Sequence, residues 1–346
     1  MPTPVSALPI RSLTMADLSA CADLAESRGW SREERSWRLL LAAGAGYGID
    51  DPVGGPPAGK GLAAVCVLTS YGPVARIGDG MTDGPGVHRA ENGRKRTQRP
   101  SSDPVGSQGV GGGPAFAGRP EAGGRSSVDR GLAAVGKLLV AERYERQGLG
   151  RRLMRHVLDE ADNRPLVLYA TSYGLPLYQR LGFTDVGGAA RLRGHLRAPD
   201  RPSPVTTRPA TAHDVRALVR LDAEVLGVDR TALLTRLPSC TDRIQVAEEG
   251  STITGYAAVR STPRAEVVGP VIAEDTATAE ALITALVNGR ERPVRLDIDT
   301  RHPELLRRLT ERGLATASMT TTMTYGTPSL PGDWARHFAP LSLATG

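Results

Sequence analysis

The chain has 346 residues, more than a single hydrophobic core usually serves, and this length favours two domains. Hydrophobic residues make up 40% and charged residues 23%, which excludes a wholly disordered chain. The formal net charge of +6 would suit nucleic acid, but half of the excess lies between residues 72 and 131, where aromatic side chains for stacking on bases are nearly absent. We therefore expect no nucleic-acid partner.

The cysteines and histidines do not form a metal site in the sequence. Cys21, Cys66 and Cys240 are odd in number and widely spaced, which indicates neither a disulfide framework nor a zinc site. The histidines stand at no metal-ligand spacing from a cysteine or a carboxylate, so we expect no metal. The sequence shows no signal-peptide pattern and no run of 18 apolar residues, and the expected location is cytoplasmic, without a membrane partner.

The first predicted elements are a strand and a capped helix, and their marker residues recur later at identical spacing. In each case a threonine is placed to accept a hydrogen bond from the first helical turn, and an aspartate three residues on answers it. The recurrence indicates that two similar units begin here, unless two common capping boxes coincide by chance. The markers are Arg11, Thr14, Asp17 and Leu18, and then Arg208, Thr211, Asp214 and Val215.

A long insertion interrupts the first unit between two predicted strands, residues 62–71 and 133–141. From about residue 82 to residue 130 the sequence is crowded with Gly, Pro, Ser and Arg, and it cannot bury enough apolar surface to fold. A flexible excursion of this length costs little stability if its ends meet at the surface. Its composition does not indicate its purpose.

A glycine-containing loop follows the strand at residues 133–141. The sequence QGLGRR at residues 147–152 leads into a helix with apolar residues on one face. Gly148 and Gly150 allow the backbone to approach a ligand, and the free N–H groups of a helix start favour an anion. Arginines at positions 146, 151 and 152 add positive charge. A diphosphate fits such a loop, although a tight turn before a helix would also use two glycines.

Downstream lies a predicted strand, residues 166–171, followed by a short helix that carries LYQRLGF at residues 177–183. The order and spacing of QGLGRR and LYQRLGF resemble the GNAT superfamily of acetyl-CoA-dependent N-acetyltransferases, in which a pyrophosphate loop precedes an LYxxxGF-like sequence. The resemblance covers most of the first unit apart from the insertion. It implies an α/β fold of two GNAT-like domains, each with a mixed, mostly antiparallel central sheet flanked by helices.

The resemblance also implies roles for individual residues. Acetyl-CoA would be the co-substrate, and Tyr178 matches the family's usual general acid, with an ordinary half-buried aromatic as the alternative. The strand backbone would hold the pantetheine arm as an added strand does, and the loop amides and arginines would hold the pyrophosphate. The implied cofactor-binding residues are Leu138, Leu139, Val140, Arg146, Gln147, Gly148, Leu149, Gly150, Arg151 and Thr171.

Two positions depart from the family pattern, and one role has no residue. Glu145 stands where Gln or Arg is usual, so it either points to solvent or weakens cofactor affinity. Thr171 stands where many members have Asn, and its hydroxyl offers a reduced version of that contact. Candidates for the proton acceptor are Asp79, Asp83 and Glu142, none of them with supporting context.

The second unit repeats the first in order but lacks the site. GPVIAE at residues 269–274 corresponds to GKLLVAE at 136–142, and RLTERGL at 308–314 corresponds to LYQRLGF at 177–183. The segment after Ala273 has no glycine pair and no arginines, and Leu309 stands where Tyr178 stands in the first unit. We therefore predict a degenerate, catalytically silent copy that packs beside the first. The predicted boundaries are residues 8–199 for the acetyl-CoA-binding domain, 200–206 for a linker, 207–326 for the degenerate domain and 327–346 for a C-terminal tail.

The leading functional hypothesis is transfer of an acetyl group to the amine of a small molecule, in preference to a protein amino group, by direct attack in a ternary complex. A non-catalytic acyl-CoA sensor or scaffold is the alternative, favoured by Glu145, the insertion and the missing base. Nucleic-acid association through the Arg-rich insertion is a third reading. The sequence names neither the acceptor nor the oligomeric state, for which a monomer and a homodimer stay open.

Overall fold

The computed structural model describes residues 8–53, 61–74 and 130–346. The predicted insertion lies outside the described residues, apart from Arg130. The helices are α1 (Leu18–Ser27), α2 (Glu34–Ala43), α3 (Leu149–Glu160), α4 (Leu175–Arg180), α5 (Val215–Leu226), α6 (Thr231–Leu234), α7 (Leu237–Cys240), α8 (Thr276–Val287) and α9 (Pro303–Glu311). No helix among these residues is long and apolar enough to cross a membrane.

The strands occupy most of the remaining described chain. They are β1 (Arg11–Leu13), β2 (Ala45–Asp50), β3 (Leu62–Pro73), β4 (Leu132–Val140), β5 (Leu166–Ala170), β6 (Thr184–Gly194), β7 (Thr206–Pro209), β8 (Val228–Asp229), β9 (Arg243–Glu249), β10 (Thr252–Ser261), β11 (Glu266–Ala273), β12 (Val294–Asp299), β13 (Leu314–Tyr325) and β14 (His337–Ala339).

Both copies begin with the same capping arrangement, as the repeated markers predict. The Thr14 N–H donates to Asp17 at 2.8 Å, and the Thr211 N–H donates to Asp214 at 2.6 Å. The arginine of each marker set holds the same aspartate, since Arg11 lies 2.7 Å from Asp17 and Arg208 lies 2.8 Å from Asp214. The repeated sequence pattern therefore corresponds to a repeated local structure.

The strands of the two copies form one continuous sheet in the order β1-β2-β3-β4-β5-β13-β6-β12-β11-β10-β9-β7. Most neighbours are antiparallel, while β4–β5 and β11–β12 are parallel. This mixed sheet confirms the predicted fold class. The last strand of each copy lies beside the other copy, since β13 pairs with β5 and β6 pairs with β12. The predicted boundary at 200–206 falls between strands, but the sheet does not break there.

The sequence predicts a C-terminal tail at residues 327–346. In the structure this segment packs on the sheet. Strand β14 pairs with β11 through Val271 and Ala339, and Phe338 is 1% exposed. Further on, Ala344 packs so closely on β4 that a Cβ atom at Gly136 would lie 2.5 Å from it. The segment is short and its apolar residues show no period, so the sequence does not indicate that they are buried.

Helices cover the sheet and complete the cores. In the first copy α1, α2 and α3 pack on β3 and β4 around Trp37, which is fully buried. In the second copy α8 is buried against β9, β10 and β11. Burying apolar area on this scale is the main stabilising contribution to such folds.

Candidate active site

The parallel strands β4 and β5 separate along their length. Their ladder runs from Ala133–Leu166 to Val135–Leu168 and then stops, although β4 continues to Val140. Residues 136–140 therefore have no partner on the β5 side. An unpaired strand edge of this kind can accept an extended ligand as an additional strand.

A β-bulge lies in the unpaired part of β4. Across the β3–β4 ladder, Val65 pairs with Leu139 and Val67 pairs with Gly136, so two residues of β4 stand opposite Cys66. One of the two is Lys137, whose φ of 55° lies in the left-handed region. Bulges redirect side chains and are common next to active sites.

The loop after β4 ends at the start of α3 with its donors free. Gly148 has φ 83° and lies directly before the helix without a side-chain cap. The Arg152 N–H donates to the Gly148 carbonyl at 3.0 Å, and no donation by the N–H groups of residues 149–151 occurs within the described residues. Together with the helix dipole these groups suit an anion. One guanidinium nitrogen of Arg152 is also buried without a partner.

The structure brings the predicted phosphate-binding residues together. Arg146, Gln147, Gly148 and Arg151 are exposed around the start of α3. An added Cβ at Gly150 would lie 3.6 Å from Leu177 of α4 and 3.7 Å from Val140 of β4, so the loop lies against both elements. The residues present therefore fit a diphosphate attached to an extended chain along β4.

The Glu145 side chain is paired with a cation and does not extend into solvent. Its carboxylate forms an ion pair with Arg28, at the end of α1, and both side chains are about three-quarters buried. This pairing offsets the negative charge beside the predicted phosphate site. Arg28 is distant in sequence, so the sequence alone did not show this compensation.

Tyr178 lies on α4 and is 8% exposed. Its ring makes an edge contact with Phe183 at 5.8 Å, and a Cβ atom at Gly174 would approach it to 3.0 Å. The hydroxyl has no hydrogen-bond partner among the described residues. Burial raises the pKa of Tyr178 well above its usual value, so the phenol stays protonated at neutral pH.

Thr171 follows β5 and has a clear structural role. Its hydroxyl accepts a hydrogen bond from the Gly174 N–H at 3.3 Å, and its carbonyl accepts from Leu175. These bonds hold the turn that leads into α4. The side chain is exposed at the mouth of the β4–β5 opening, where a second contact with a ligand remains a prediction.

The proton acceptor is not resolved by the structure. Asp79 and Asp83 lie outside the described residues, and Glu142 is exposed in the turn after β4. The described chain offers other charged groups that the sequence reading missed. Lys137 lies over the rings of Trp30 and Trp37, with its ammonium 5.3 Å and 5.2 Å from their centroids. A lysine inside an otherwise apolar strand was the available signal.

The second copy fills both parts of the corresponding site with its own chain. Helix α8 is capped by Asp275, whose carboxylate accepts from the Thr278 N–H at 2.7 Å, so a side chain already occupies the anion position. Strand β14 pairs with β11 on the side where β11 and β12 diverge. Leu309 is fully buried in α9. Asp275 and β14 thus take the places that the first copy leaves open at the start of α3 and along β4.

Two family models match the chain, and both describe an acetyltransferase (GNAT) domain. One covers residues 122–199 and the other covers residues 218–339. The chain therefore belongs to the GNAT acetyltransferase family, a family of acyltransferase enzymes, and contains two such domains in tandem. The predicted duplication is confirmed.

Known proteins agree with this assignment. The uncharacterized N-acetyltransferase YitH of Bacillus subtilis (strain 168) is 33% identical over 186 residues, which cover 53% of this chain and 66%, just under two thirds, of that protein. A candidate acetyltransferase from Pyrococcus horikoshii shares the fold with a TM-score of 0.68 at 16% identity, over 98% of this chain and 96% of that one. A GCN5-related N-acetyltransferase from Sphaerobacter thermophilus gives 0.51 at 16% identity, over 95% and 99%.

Proposed function

We propose that this protein is an acetyl-CoA-dependent N-acetyltransferase that acts on the amine of a small molecule, with acetyl-CoA bound by the first copy alone. The observation that supports this most strongly is the uncapped start of α3 beside the open edge of β4. A diphosphate and an extended arm need these two features next to each other. The second copy has neither.

Two sets of groups, the backbone of β4 and the loop before α3, would bind different parts of acetyl-CoA. The backbone of Leu138, Leu139 and Val140 would pair with the pantetheine arm as β5 pairs with the earlier part of β4. The amides of Gly148, Leu149 and Gly150 would hold the pyrophosphate, and the nearby arginines would add charge-assisted hydrogen bonds. Gln147 and Arg151 complete this loop, with Arg146 before it.

Acetyl-CoA supplies the thioester, and its acetyl group passes to an amine of the acceptor. Bond formation from the amine nitrogen to the acetyl carbon breaks the carbon–sulfur bond and releases a thiolate. Tyr178, protonated because it is buried, would donate its proton to that sulfur. The proton lost by the amine would pass to water or to an acidic residue. The protein's main contribution is to align the two substrates.

Non-catalytic acyl-CoA binding is the alternative, and one of its supports has weakened. Glu145 suggested poor cofactor binding, but its ion pair with Arg28 removes that objection. A catalytic role also accounts for a buried phenol whose hydroxyl has no partner within residues 8–53, 61–74 and 130–346.

Release of the coenzyme A thiol in the presence of a panel of primary amines tests the proposal. We expect thiol release with at least one amine and none with the Gly148→Glu variant, whose carboxylate would occupy the phosphate position. A protein that binds acetyl-CoA but transfers acetyl to no amine would instead be the sensor or scaffold.

A further inference from the structure

One carboxylate is shared by cations from separate parts of the chain. Glu33, between α1 and α2, lies 3.4 Å from Arg260 of β10 and 3.3 Å from Arg295 of β12. Both distances exceed the ~2.7–2.9 Å of a charge-assisted hydrogen bond. Lys137, on the bulge of β4, is a third cation whose charge acts on Glu33. We call Glu33, Lys137, Arg260 and Arg295 the seam cluster, because it joins the two copies.

The seam cluster has more positive than negative charge. Arg191 also acts on Lys137, but Asp297 compensates it through contacts of 2.7 Å and 3.2 Å. Among the described residues, Lys137, Arg260 and Arg295 then share the charge of Glu33, while Asp297, already paired with Arg191, also acts on Arg295. Unpaired charge is costly in a buried position, so a negative ligand would be stabilised here.

Two donors of the seam cluster are also unsatisfied. The Arg260 side chain is 7% exposed and that of Arg295 is 17% exposed. The Nε atom of each is buried without a hydrogen-bond partner, while Nη1 of Arg260 donates to the Leu341 carbonyl at 3.1 Å. Buried donors without acceptors cost free energy, and a carboxylate or phosphoryl group supplies acceptors for them.

A cleft of about 500 Å³ reaches the seam cluster at Glu33 and Arg260, which form part of its wall, while Lys137 and Arg295 lie behind them. This volume lies in the range that holds small-molecule ligands, roughly 300–1,000 Å³. The rest of the wall is polar, with the arginines Arg32, Arg35 and Arg292 against the carboxylate of Glu34. Such a wall favours the entry of an anion.

We propose that the seam cluster is the acceptor subsite for an anionic group, so that the substrate is an amine that also carries a carboxylate or phosphoryl group. Arg260, Arg295 and Lys137 would hold this group while the amine reaches the acetyl group. The inference rests on the proposed function, because it takes acetyl-CoA to bind along residues 138–140, directly after Lys137. The second copy would then supply two residues of the acceptor site.

Matched acceptors test the proposal. Transfer to 4-aminobutanoate, 3-aminopropylphosphonate and butylamine is measured for the full-length protein and for Arg260→Gln, Arg295→Gln and Glu33→Gln. The control Arg307→Gln removes an exposed arginine of α9 that pairs with Glu311. Melting temperature and acetyl-CoA calorimetry report on folding and on the cofactor site of every variant.

We expect at least one anionic acceptor to exceed butylamine in kcat/KM by about 30-fold or more, the effect of losing a buried charge partner. Arg260→Gln and Arg295→Gln should remove this preference, whereas the Arg307→Gln control should keep it. Glu33→Gln should lower the KM of the anionic acceptor. A higher kcat/KM for 4-aminobutanoate would indicate recognition of a carboxylate, and a higher value for 3-aminopropylphosphonate would indicate recognition of a phosphoryl group.

Equal rates for all three amines, or faster transfer to butylamine, would overturn the subsite, as would unaltered preference in the folded arginine variants. If no amine is acetylated, the same compounds are titrated calorimetrically into protein saturated with coenzyme A. Absence of binding heat with both anionic acceptors would reject the subsite. Failure to bind acetyl-CoA would instead reject the proposed function.

Discussion

At the residue scale, Tyr178 combines two properties that a general acid needs. Burial raises its pKa, so it carries its proton at neutral pH. Its hydroxyl is not held by another group of the described chain, so the proton can be delivered to a ligand.

We expect Tyr178→Phe to lower kcat by about 100-fold or more, the range of a lost general acid. Affinity for acetyl-CoA should stay within about twofold, since the ring and its contact with Phe183 persist. Steady-state rates and calorimetry on the same preparation separate the two effects. Turnover equal to that of the unaltered protein would leave Tyr178 as a packing residue.

Lys137 is in an unfavourable place for a charge. Burial lowers its pKa to about 8, and although Glu33 acts in the opposite direction, the Arg260, Arg295 and Arg191 charges lower it further. In the unfolded chain this lysine keeps its proton up to pH values near its ordinary pKa of 10.5. Between pH 8 and pH 10.5 the unfolded chain therefore binds more protons than the folded chain. Stability therefore rises with pH across this window, and the cost of the charge is fully present below pH 8.

Lys137→Met should therefore raise the free energy of unfolding at pH 7 by about 1–2 kcal/mol. A pKa shift corresponds to about 1.36 kcal/mol per unit, and we expect less than the full value because the lysine keeps some solvent contact. The gain should shrink as pH rises from 8 towards 10.5. Urea unfolding at pH 7, 9 and 10 measures it, with Arg307→Met as the exposed control. A loss of stability at every pH would show that the ammonium is well compensated.

The sequence predicts the candidate phosphate loop residue by residue, because local spacing alone creates a helix start with glycines, and phosphate binding there stays a prediction. It did not identify the seam cluster. Its members come from four separate elements, with Glu33 and Arg295 262 residues apart along the chain, and only the exchanged sheet brings them together. Charges that compensate across such distances have no local signature, and Arg28 beside Glu145 is another example.

At the element scale, α3 and α8 occupy equivalent places and differ in how they begin. Helix α3 starts at Gly148 with free N–H groups, whereas Asp275 caps α8 through the Thr278 N–H. A carboxylate from the chain does for α8 what we propose a phosphate does for α3. From this difference we expect one binding site in the duplicated protein.

Asp275→Ala should lower the free energy of unfolding by about 1 kcal/mol, the usual effect of losing an N-cap. Acetyl-CoA affinity and turnover should not change, because this helix start belongs to the copy that we predict to be silent. Urea unfolding and calorimetry of the variant check both parts. A weakened acetyl-CoA site in this variant would mean that the second copy also takes part in cofactor binding.

Predicted strands agree with observed ones to within about two residues. The prediction of 62–71 compares with Leu62–Pro73, 133–141 with Leu132–Val140, and 166–171 with Leu166–Ala170. Long apolar runs bounded by glycine or charge fix such elements. Strand β14 was missed because three residues are too few to show a pattern.

At the scale of the whole molecule, the copies exchange their final strands. β6 and β13 pair with each other, and each also pairs with the parallel strand of the opposite copy. Either exchanged or unexchanged pairing would satisfy the same alternation of residues, so the sequence predicts the strands but not their partners.

Because of this exchange, residues 8–199 expressed alone should not form a stable domain, since β5 and β6 would both lose partners. Co-expression with residues 200–346 should restore a complex that binds acetyl-CoA. Size-exclusion chromatography and calorimetry of the separate and combined pieces test this. A folded, monomeric 8–199 piece that binds acetyl-CoA would show that the exchange is dispensable.

The central claim is that a diphosphate binds at the start of α3 and at no second place. Calorimetry with coenzyme A tests it in the unaltered protein, in Gly148→Glu, and in Gly250→Glu as the matched control. Gly148 and Gly250 both have positive φ and no atom within 4 Å of an added Cβ, so the substitutions carry similar backbone strain. We expect one site per chain, lost in Gly148→Glu and kept in Gly250→Glu. No heat with the unaltered protein, or equal binding by both variants, would contradict the claim.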